Sequence, residues 1–406
     1  MKNNQYYIDL ETRHGAHNYH PLPVVLQRGK GIHVWDVEGR QYFDYLSAYS
    51  AVNQGHNHPY IVSAMKNQLD QLSLVSRAFH SDQLGLYAQY ITGLFGYDKV
   101  LPMNSGAEGV ETAIKLCRKW GYKKKSIPTN QSKIIFVSGN FHGRTLGVIS
   151  ASVDSDSTAE FGPFVPGYEV IPFDDLAALE EAVKDPNAAG FVVEPIQGEA
   201  GVKVPSEGYL KEAALLCRKH DVLFIADEIQ TGLGRTGRML CCDHENVRPD
   251  ILILGKALSG GLYPVSAVLA DDEIMLTIQP GEHGSTYGGN PLACATALAA
   301  LEILHMENLP ENARVMGDLF RSGLLEIQKT YPMIREVRGK GLLNAIELDA
   351  DPDSSTAWDL CITMMNHGLL AKPTHGNMIR FAPPLIIGQD DLEKGLEIIH
   401  QSIRSL

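Results

Sequence analysis

Two apolar runs in this chain end in charged residues that an apolar run has no use for. Leu223-Phe224-Ile225-Ala226 leads into Asp227, and Ile251-Leu252-Ile253-Leu254 leads through Gly255 into Lys256. Short runs of this kind, bounded by turn residues, read as strands buried on both faces. In an open α/β sheet the ligand crevice lies outside the carboxyl ends of the strands, so an acid and a lysine at two such ends flank a ligand. Taken singly, each has an ordinary explanation: a lysine snorkels out of a strand end, and an aspartate caps the next turn. Taken together they suit one chemistry. A desolvated lysine loses affinity for its proton, and its neutral amine attacks an aldehyde to form a Schiff base. A carboxylate beside a pyridine nitrogen keeps that nitrogen protonated. Pyridoxal phosphate needs both, with Lys256 and Asp227 in those roles.

A phosphate also needs a site. Asn104-Ser105-Gly106-Ala107-Glu108 contains a Ser-x-x-Glu capping box, and Val110, Ala113, Ile114 and Cys117 follow at helical spacing. The pattern predicts a helix over 105–120, whose first N–H groups are free for an anion; an ordinary capped helix has the same signature. Gly284-Ser285-Thr286-Tyr287-Gly288-Gly289-Asn290-Pro291 is a glycine-rich turn leading into another helix, with hydroxyls at Ser285 and Thr286 that can reach a phosphate. Gly139-Asn140-Phe141-His142-Gly143-Arg144 follows the strand 133–137. On such a loop Phe141 is suited to stack on a ring and Arg144 to hold a carboxylate, although a buried Phe and a surface Arg are the plainer alternative.

The 406 residues are 44% hydrophobic and 20% charged with a formal net charge of −13, which fits an ordinary globular protein and argues against a nucleic-acid or membrane-surface role. Six cysteines without C-x-x-C spacing read as buried thiols, and no metal site is expected from the histidines His14, His17, His20, His56 and His58. Lys123-Lys124-Lys125 reads as a solvated loop. The first residues lack signal-peptide or transit-peptide character, so a cytoplasmic location is the expectation, or the mitochondrial matrix if a leader has been removed.

Strand patterns at 133–137, 191–195, 223–227 and near 251–255 alternate with helical ones, which predicts an α/β fold with a mainly parallel central sheet covered on both faces. The expected organisation is a large domain over 52–295, a smaller C-terminal α+β domain over 296–406, and an N-terminal segment, 1–51, packing with the small domain. Trp35-Asp36-Val37-Glu38-Gly39-Arg40 reads as a hairpin turn within that segment.

Glu194-Pro195-Ile196-Gln197-Gly198-Glu199-Ala200-Gly201-Val202, Ala226-Asp227-Glu228-Ile229-Gln230-Thr231-Gly232 and Gly255-Lys256 occur in the order found in class III (ω-amino acid) aminotransferases of fold type I, the aspartate aminotransferase fold, and the chain resembles that family along nearly its whole length. Gly15–Pro23, Tyr49–His56 and Lys372-Pro373-Thr374-His375-Gly376 resemble its ornithine δ-aminotransferase branch. The resemblance implies pyridoxal phosphate as cofactor, Lys256 as the Schiff-base lysine, Asp227 at the ring nitrogen, Gln230 at the phenolic oxygen, Phe141 on the ring, and Gly106 and Ala107 N–H groups at the phosphate, with Ser105 and His142 in the same shell. His142 stands where the family often has a larger aromatic. Ser285 and Thr286 would reach the phosphate in a partner subunit, implying a homodimer or larger homo-oligomer with shared sites. For substrates, the resemblance implies L-ornithine and 2-oxoglutarate, with glutamate as product. Arg144 would bind the ornithine α-carboxylate, Tyr19 and Tyr49 its α-amino end, and Arg380 the α-carboxylate of glutamate. Glu199 would neutralise Arg380 through a bidentate pair during the ornithine half. The rivals are an N-acetylornithine or 4-aminobutyrate aminotransferase, an aminomutase on the same fold, and a non-catalytic nucleotide-binding module. The last would need a G-x-G-x-x-G after the first strand, which is missing.

Overall fold

A computed structural model of the chain describes residues 2–374 and 376–406. Met1 and His375, the latter within the Lys372–Gly376 run, lie outside the described residues. The central sheet has seven strands in the order Lys99–Met103, Ser266–Ala270, Ile251–Leu254, Leu223–Asp227, Ala188–Val193, Lys133–Val137 and Tyr168–Ile171. The last five run parallel, and Ser266–Ala270 is antiparallel to both neighbours. The strands Ile251–Leu254, Leu223–Asp227 and Ala188–Val193 are buried along their whole length. That is why they read as unbroken apolar runs and not as alternating ones. The sheet is therefore the mainly parallel one expected. The strand anticipated at 191–195 runs from Ala188 to Val193, because Lys133 already pairs with Ala188 at the sheet's near end.

Helix Gly106–Lys123 covers one face, with Val110, Ala113, Ile114 and Cys117 in the core. Helix Tyr209–Lys219 covers the other through Tyr209, Leu210, Ala213 and Cys217. Helix Pro291–Met306 is apolar nearly all round because it is buried nearly all round. Among the described residues no single helix is long and apolar enough to cross a membrane. Lys125 differs from the solvated lysine expected. Its Nζ donates to the carbonyls of Ala188, His220 and Asp221 at 2.9, 2.9 and 2.6 Å, tying the start of a core strand to the end of a helix. Burial lowers its pKa.

Two smaller sheets complete the molecule. Ile334–Lys340, Leu343–Leu348, Met378–Phe381 and Lys372–Pro373 form one, packed against helix Leu309–Thr330, on which helix Gln389–Arg404 packs in turn. The other joins Leu26–Lys30, His33–Asp36 and Gln41–Asp44 to Leu369–Leu370, which lies parallel to Gln41–Asp44. Residues near the two ends of the chain are thus hydrogen-bonded in one sheet. The hairpin turn falls between His33–Asp36 and Gln41–Asp44, where Asp36 Oδ1 accepts from Glu38 N and Arg40 N.

Candidate active site

Three adjacent parallel strands deliver three ionisable groups to one end of the central sheet. Ala188–Val193 leads into Glu194, Leu223–Asp227 ends on Asp227, and Ile251–Leu254 leads through Gly255 to Lys256. Lys256 has φ +45°, a conformation rare for a side-chain-bearing residue and one that tends to persist where the surrounding structure over-determines it. Glu194 and Asp227 are buried. Asp227 Oδ2 meets His142 Nδ1 at 2.7 Å, and its Oδ1 accepts from Ile229 N at 3.1 Å. Glu194 Oε2 accepts from Phe141 N at 2.8 Å, which fixes the loop that carries both Phe141 and His142.

The protonation states follow from these contacts. Burial shifts the Lys256 pKa downward, opposed by the nearby Glu199 charge, so the amine gives up its proton more readily than an exposed lysine. Burial acts against the His142 cation, but the hydrogen bond and charge of Asp227 outweigh it and the pKa is raised. Burial and the neighbouring Asp227 charge push Glu194 up to about 8.

Between these groups and the start of helix Gly106–Lys123 lies a cavity of about 180 Å³, lined by Gly106, Ala107, Phe141, His142, Gly143, Glu194, Asp227, Gln230 and Lys256 among others. The capping box forms as expected. Glu108 N donates to Ser105 Oγ at 3.2 Å and Ser105 N to Glu108 Oε2 at 2.7 Å. It leaves the first two N–H groups of the helix, on Gly106 and Ala107, at the cavity wall with the positive end of the helix dipole. A side chain on Gly143, at φ +124°, would strike Ala107 Cβ at 2.6 Å, so the loop and the helix start form a close cradle. An anion site at one end, the Asp227–His142 pair at the other and a desolvated amine between them fit a phosphorylated pyridine aldehyde.

A second cavity of about 990 Å³ opens outward from Lys256. Its walls include Tyr19, Tyr49, Phe141, Arg144, Glu199, Lys372 and Arg380. Arg380 is buried, at 1% exposure, and its Nη1 donates to Glu199 Oε1 at 2.7 Å. The pair has one such bond, not the bidentate arrangement expected. It also makes a long 3.4 Å approach to Gln230 Oε1, and its guanidinium lies 5.3 Å from the Tyr49 ring centroid, while Nε has no partner among the described residues. Burial would raise the Glu199 pKa, but Arg380 and Lys256 hold it low. A buried pair with this single strong bond and unused donors is open to exchange for another carboxylate. Arg144 is exposed and its guanidinium lies 5.4 Å from the Phe141 ring centroid. Gln230 Nε2 faces Tyr49 O and Glu199 Oε1, at 3.4 and 3.3 Å.

Tyr49 sits on a left-handed turn. Ser47, Ala48, Tyr49 and Ser50 have φ of 49°, 48°, 60° and 71° although none is glycine. Each such residue costs about 1–2 kcal/mol. Asp44 holds the turn by accepting from Leu46 N and Ser47 N at 2.9 and 2.8 Å, and is itself bound by His56 Nε2 at 2.7 Å. Nothing in the residue types announces this turn.

Ser105, Ser285 and Thr286 line neither cavity. The Ser105 hydroxyl is engaged with Glu108, and Ser285 Oγ accepts from Asn104 Nδ2 and Gly288 N, both at 3.0 Å. Glu194 was not singled out as a site residue in the sequence, although the strand-end argument applied to Asp227 covers it equally.

The family model for aminotransferase class-III matches residues 14–403. Rat mitochondrial ornithine aminotransferase is 61% identical over 402 residues, 99% of this chain and 91% of the relative. Among solved structures, an acetylornithine aminotransferase from Elizabethkingia anophelis is 56% identical with a TM-score of 0.93, each chain fully covered. An ornithine aminotransferase from Toxoplasma gondii, described with PLP at partial occupancy in its active site, is 46% identical with a TM-score of 0.98, covering 100% of this chain and 95% of that one. The cytoplasmic expectation is corrected by the rat relative, which is mitochondrial: a start without targeting character does not distinguish the two compartments. Length, order of motifs, sheet topology and the paired strand ends agree with these matches, and the chain belongs to the class III aminotransferases.

Proposed function

We propose that the protein transfers the δ-amino group of L-ornithine to 2-oxoglutarate, yielding L-glutamate and glutamate 5-semialdehyde, which cyclises to pyrroline-5-carboxylate. The observation that carries this reading is the Glu199–Arg380 pair. It hides one arginine of a two-arginine cavity while Arg144 stays open, as a site must that takes an ω-amine in one half-reaction and an α-amine in the other. Bound in the smaller cavity, pyridoxal phosphate supplies an aldehyde for the substrate amine and an electron-withdrawing ring for the carbon that loses its proton. Lys256 Nζ would take the proton from ornithine Cδ and give it up to the cofactor's aldehyde carbon, a role suited to an amine whose pKa burial has lowered. Asp227, oriented by His142, keeps the ring nitrogen protonated. Gly106 and Ala107 N–H groups hold the phosphate, with Ser105 at their cap. Phe141 would pack on the ring, and Gln230 would lie near its phenolic oxygen. Arg144 binds the ornithine α-carboxylate, with Tyr19 and Tyr49 at the α-amino end. When 2-oxoglutarate enters, Glu199 releases Arg380 to its α-carboxylate, and Arg144 takes the distal one.

The Elizabethkingia structure favours a second reading, with N-acetylornithine as amino donor. L-Ornithine, N-acetylornithine and 4-aminobutyrate, each added to the holoenzyme without oxo acid, separate the two. Loss of the visible cofactor absorption with ornithine is expected; loss only with the acetylated amine would overturn the substrate and keep the reaction.

The reading also assigns 52–295 to the cofactor domain, 296–406 to the small domain and 1–51 to a segment packing on it. It makes the active unit at least a homodimer. Leu69, Leu72, Leu74 and Phe79 are exposed next to the 285–292 segment, where Leu292 N donates to Ser73 O at 3.4 Å and Tyr287 is half exposed. An apolar face this extensive calls for a partner, and Ser285 and Thr286 beside it would reach the phosphate in the second copy. Light scattering giving a monomer mass for active enzyme would overturn this.

A further inference from the structure

The turn that carries Glu199 has a fixed backbone. Gln197 and Lys203 exchange both main-chain hydrogen bonds across it, at 3.1 and 3.0 Å, and Gly198 O accepts from Gly201 N and Val202 N at 3.2 and 3.3 Å. Gly201 has φ +90°, and a side chain there would collide with Met378 Sδ. The turn therefore lies directly against the C-terminal sheet. One side chain bridges the two. Arg338 Nε donates to Gly201 O at 2.8 Å, its Nη2 lies 2.9 Å from Met378 Sδ, and its Nη1 donates to Glu347 and Glu336 at 2.7 and 2.6 Å.

Strand register gives this contact its meaning. Arg338 pairs with Ala345, and Ala345 pairs with Arg380. Residues directly opposite one another share a sheet face, so the two arginines stand on the same face two strands, or about 10 Å, apart. Ala345 between them is buried and small. One arginine holds the main chain of the turn and the other holds its carboxylate. Arg338 borders a different cavity, of about 590 Å³, together with Glu336, Glu347 and Met378, and lines neither cavity that contains Lys256. With two carboxylates on its guanidinium it is not a competing site for a substrate carboxylate.

We infer that Arg338 is a positioning residue for the Glu199–Arg380 pair: it pins Gly201 to the sheet face that bears Arg380, so that unmasking Arg380 is a side-chain rotation of Glu199 over a stationary backbone. The strength of that pin sets how well the α-carboxylate site is hidden, and so how strongly the enzyme prefers an ω-amine to an α-amine. The inference rests on the gating role of Glu199 proposed above.

The test measures each half-reaction of the holoenzyme alone, following cofactor absorption as L-ornithine or L-glutamate is added to wild type, Arg338→Met, Arg338→Lys and Glu199→Gln, with thermal midpoints recorded alongside. With the turn unpinned in Arg338→Met, Glu199 masks Arg380 less well. The ratio of kcat/KM for ornithine to that for glutamate is expected to fall about tenfold, with ornithine losing and glutamate holding or gaining. Arg338→Lys, which keeps one donor for Gly201 O, moves the ratio the same way by about threefold, and it carries the test if the methionine variant does not fold. An equal loss for both substrates, or no change, in the Arg338 variants while Glu199→Gln shifts the ratio would overturn the role of Arg338 and leave the gate standing. A ratio unmoved by Glu199→Gln would sink the gate itself.

Discussion

The two cavities that meet at Lys256 are built on opposite principles. The smaller, about 180 Å³, is assembled from the ends of adjacent parallel strands, one helix start and the loop carrying Phe141 and His142, all between residues 106 and 256, and its two carboxylates are held by short bonds to that loop. The larger, about 990 Å³, draws on Tyr19, a strained turn at Tyr49, the 139–161 segment and a strand near the C-terminus, and its central ion pair has one short bond. A site for a permanent cofactor profits from rigidity. One that must accept two substrates in alternation profits from contacts that exchange, and the difference in construction follows the difference in task.

Perturbing the two ends should therefore produce different signatures. Lys256→Ala acts where they meet and removes both the attachment point and the proton carrier; steady-state turnover is expected to fall by about 10⁴-fold, and a variant near the wild-type rate would end the lysine chemistry. Arg144→Met lies at the substrate end alone. Losing charge-assisted bonds worth about 1.5–3 kcal/mol should lower kcat/KM for ornithine by roughly 10- to 100-fold while leaving cofactor absorption intact; cofactor loss in its place would mean that the two ends are not separable. Ala48→Gly relieves one left-handed residue, so the folded state should gain about 1 kcal/mol in urea denaturation, and an unchanged midpoint would contradict the strain assigned to the turn.

The smallest effect belongs to Glu194 at the cofactor end and appears only with pH. Its folded pKa, about 8, lies above the ordinary value of 4.5. The folded state therefore retains a proton that the unfolded chain gives up, and this group's contribution to stability is complete below about pH 4.5 and lost as pH rises through 8. Glu194→Gln should remove that part of the slope between pH 6 and pH 9. Parallel curves for variant and wild type would show that Glu194 is ionised throughout.

What the sequence disclosed divides along the same line. Asp227, Lys256 and the Ser105–Glu108 box were legible because each depends on neighbours within a few positions: an apolar run and its terminus, or a cap and the third residue after it. Glu194 obeys the same rule and was obscured by a strand placed two residues too late. The turn at Ser47–Ser50 left no trace, because Ser, Ala and Tyr have no preference for positive φ and only tertiary contacts impose it. The Gly201–Arg338 contact is equally silent, since it joins positions far apart in the chain. Lys125, one of three consecutive lysines, gave no hint of the three carbonyls waiting for it. Ser266–Ala270, a run of only five residues, is paired as a strand with neighbours on both sides.

The pairing of Leu369–Leu370 with Gln41–Asp44 also has a consequence in time. The strand carrying Arg380 follows that pairing by only a few residues, and the turn carrying Tyr49 follows Asp44 directly, so the substrate end exists only after the last part of the chain has returned to the first. Within one copy, the residues that line the cofactor cavity have all been synthesised by residue 256. On a ribosome that emits the chain from its N-terminus, the walls of the reactive centre emerge long before the gate that decides what may react there.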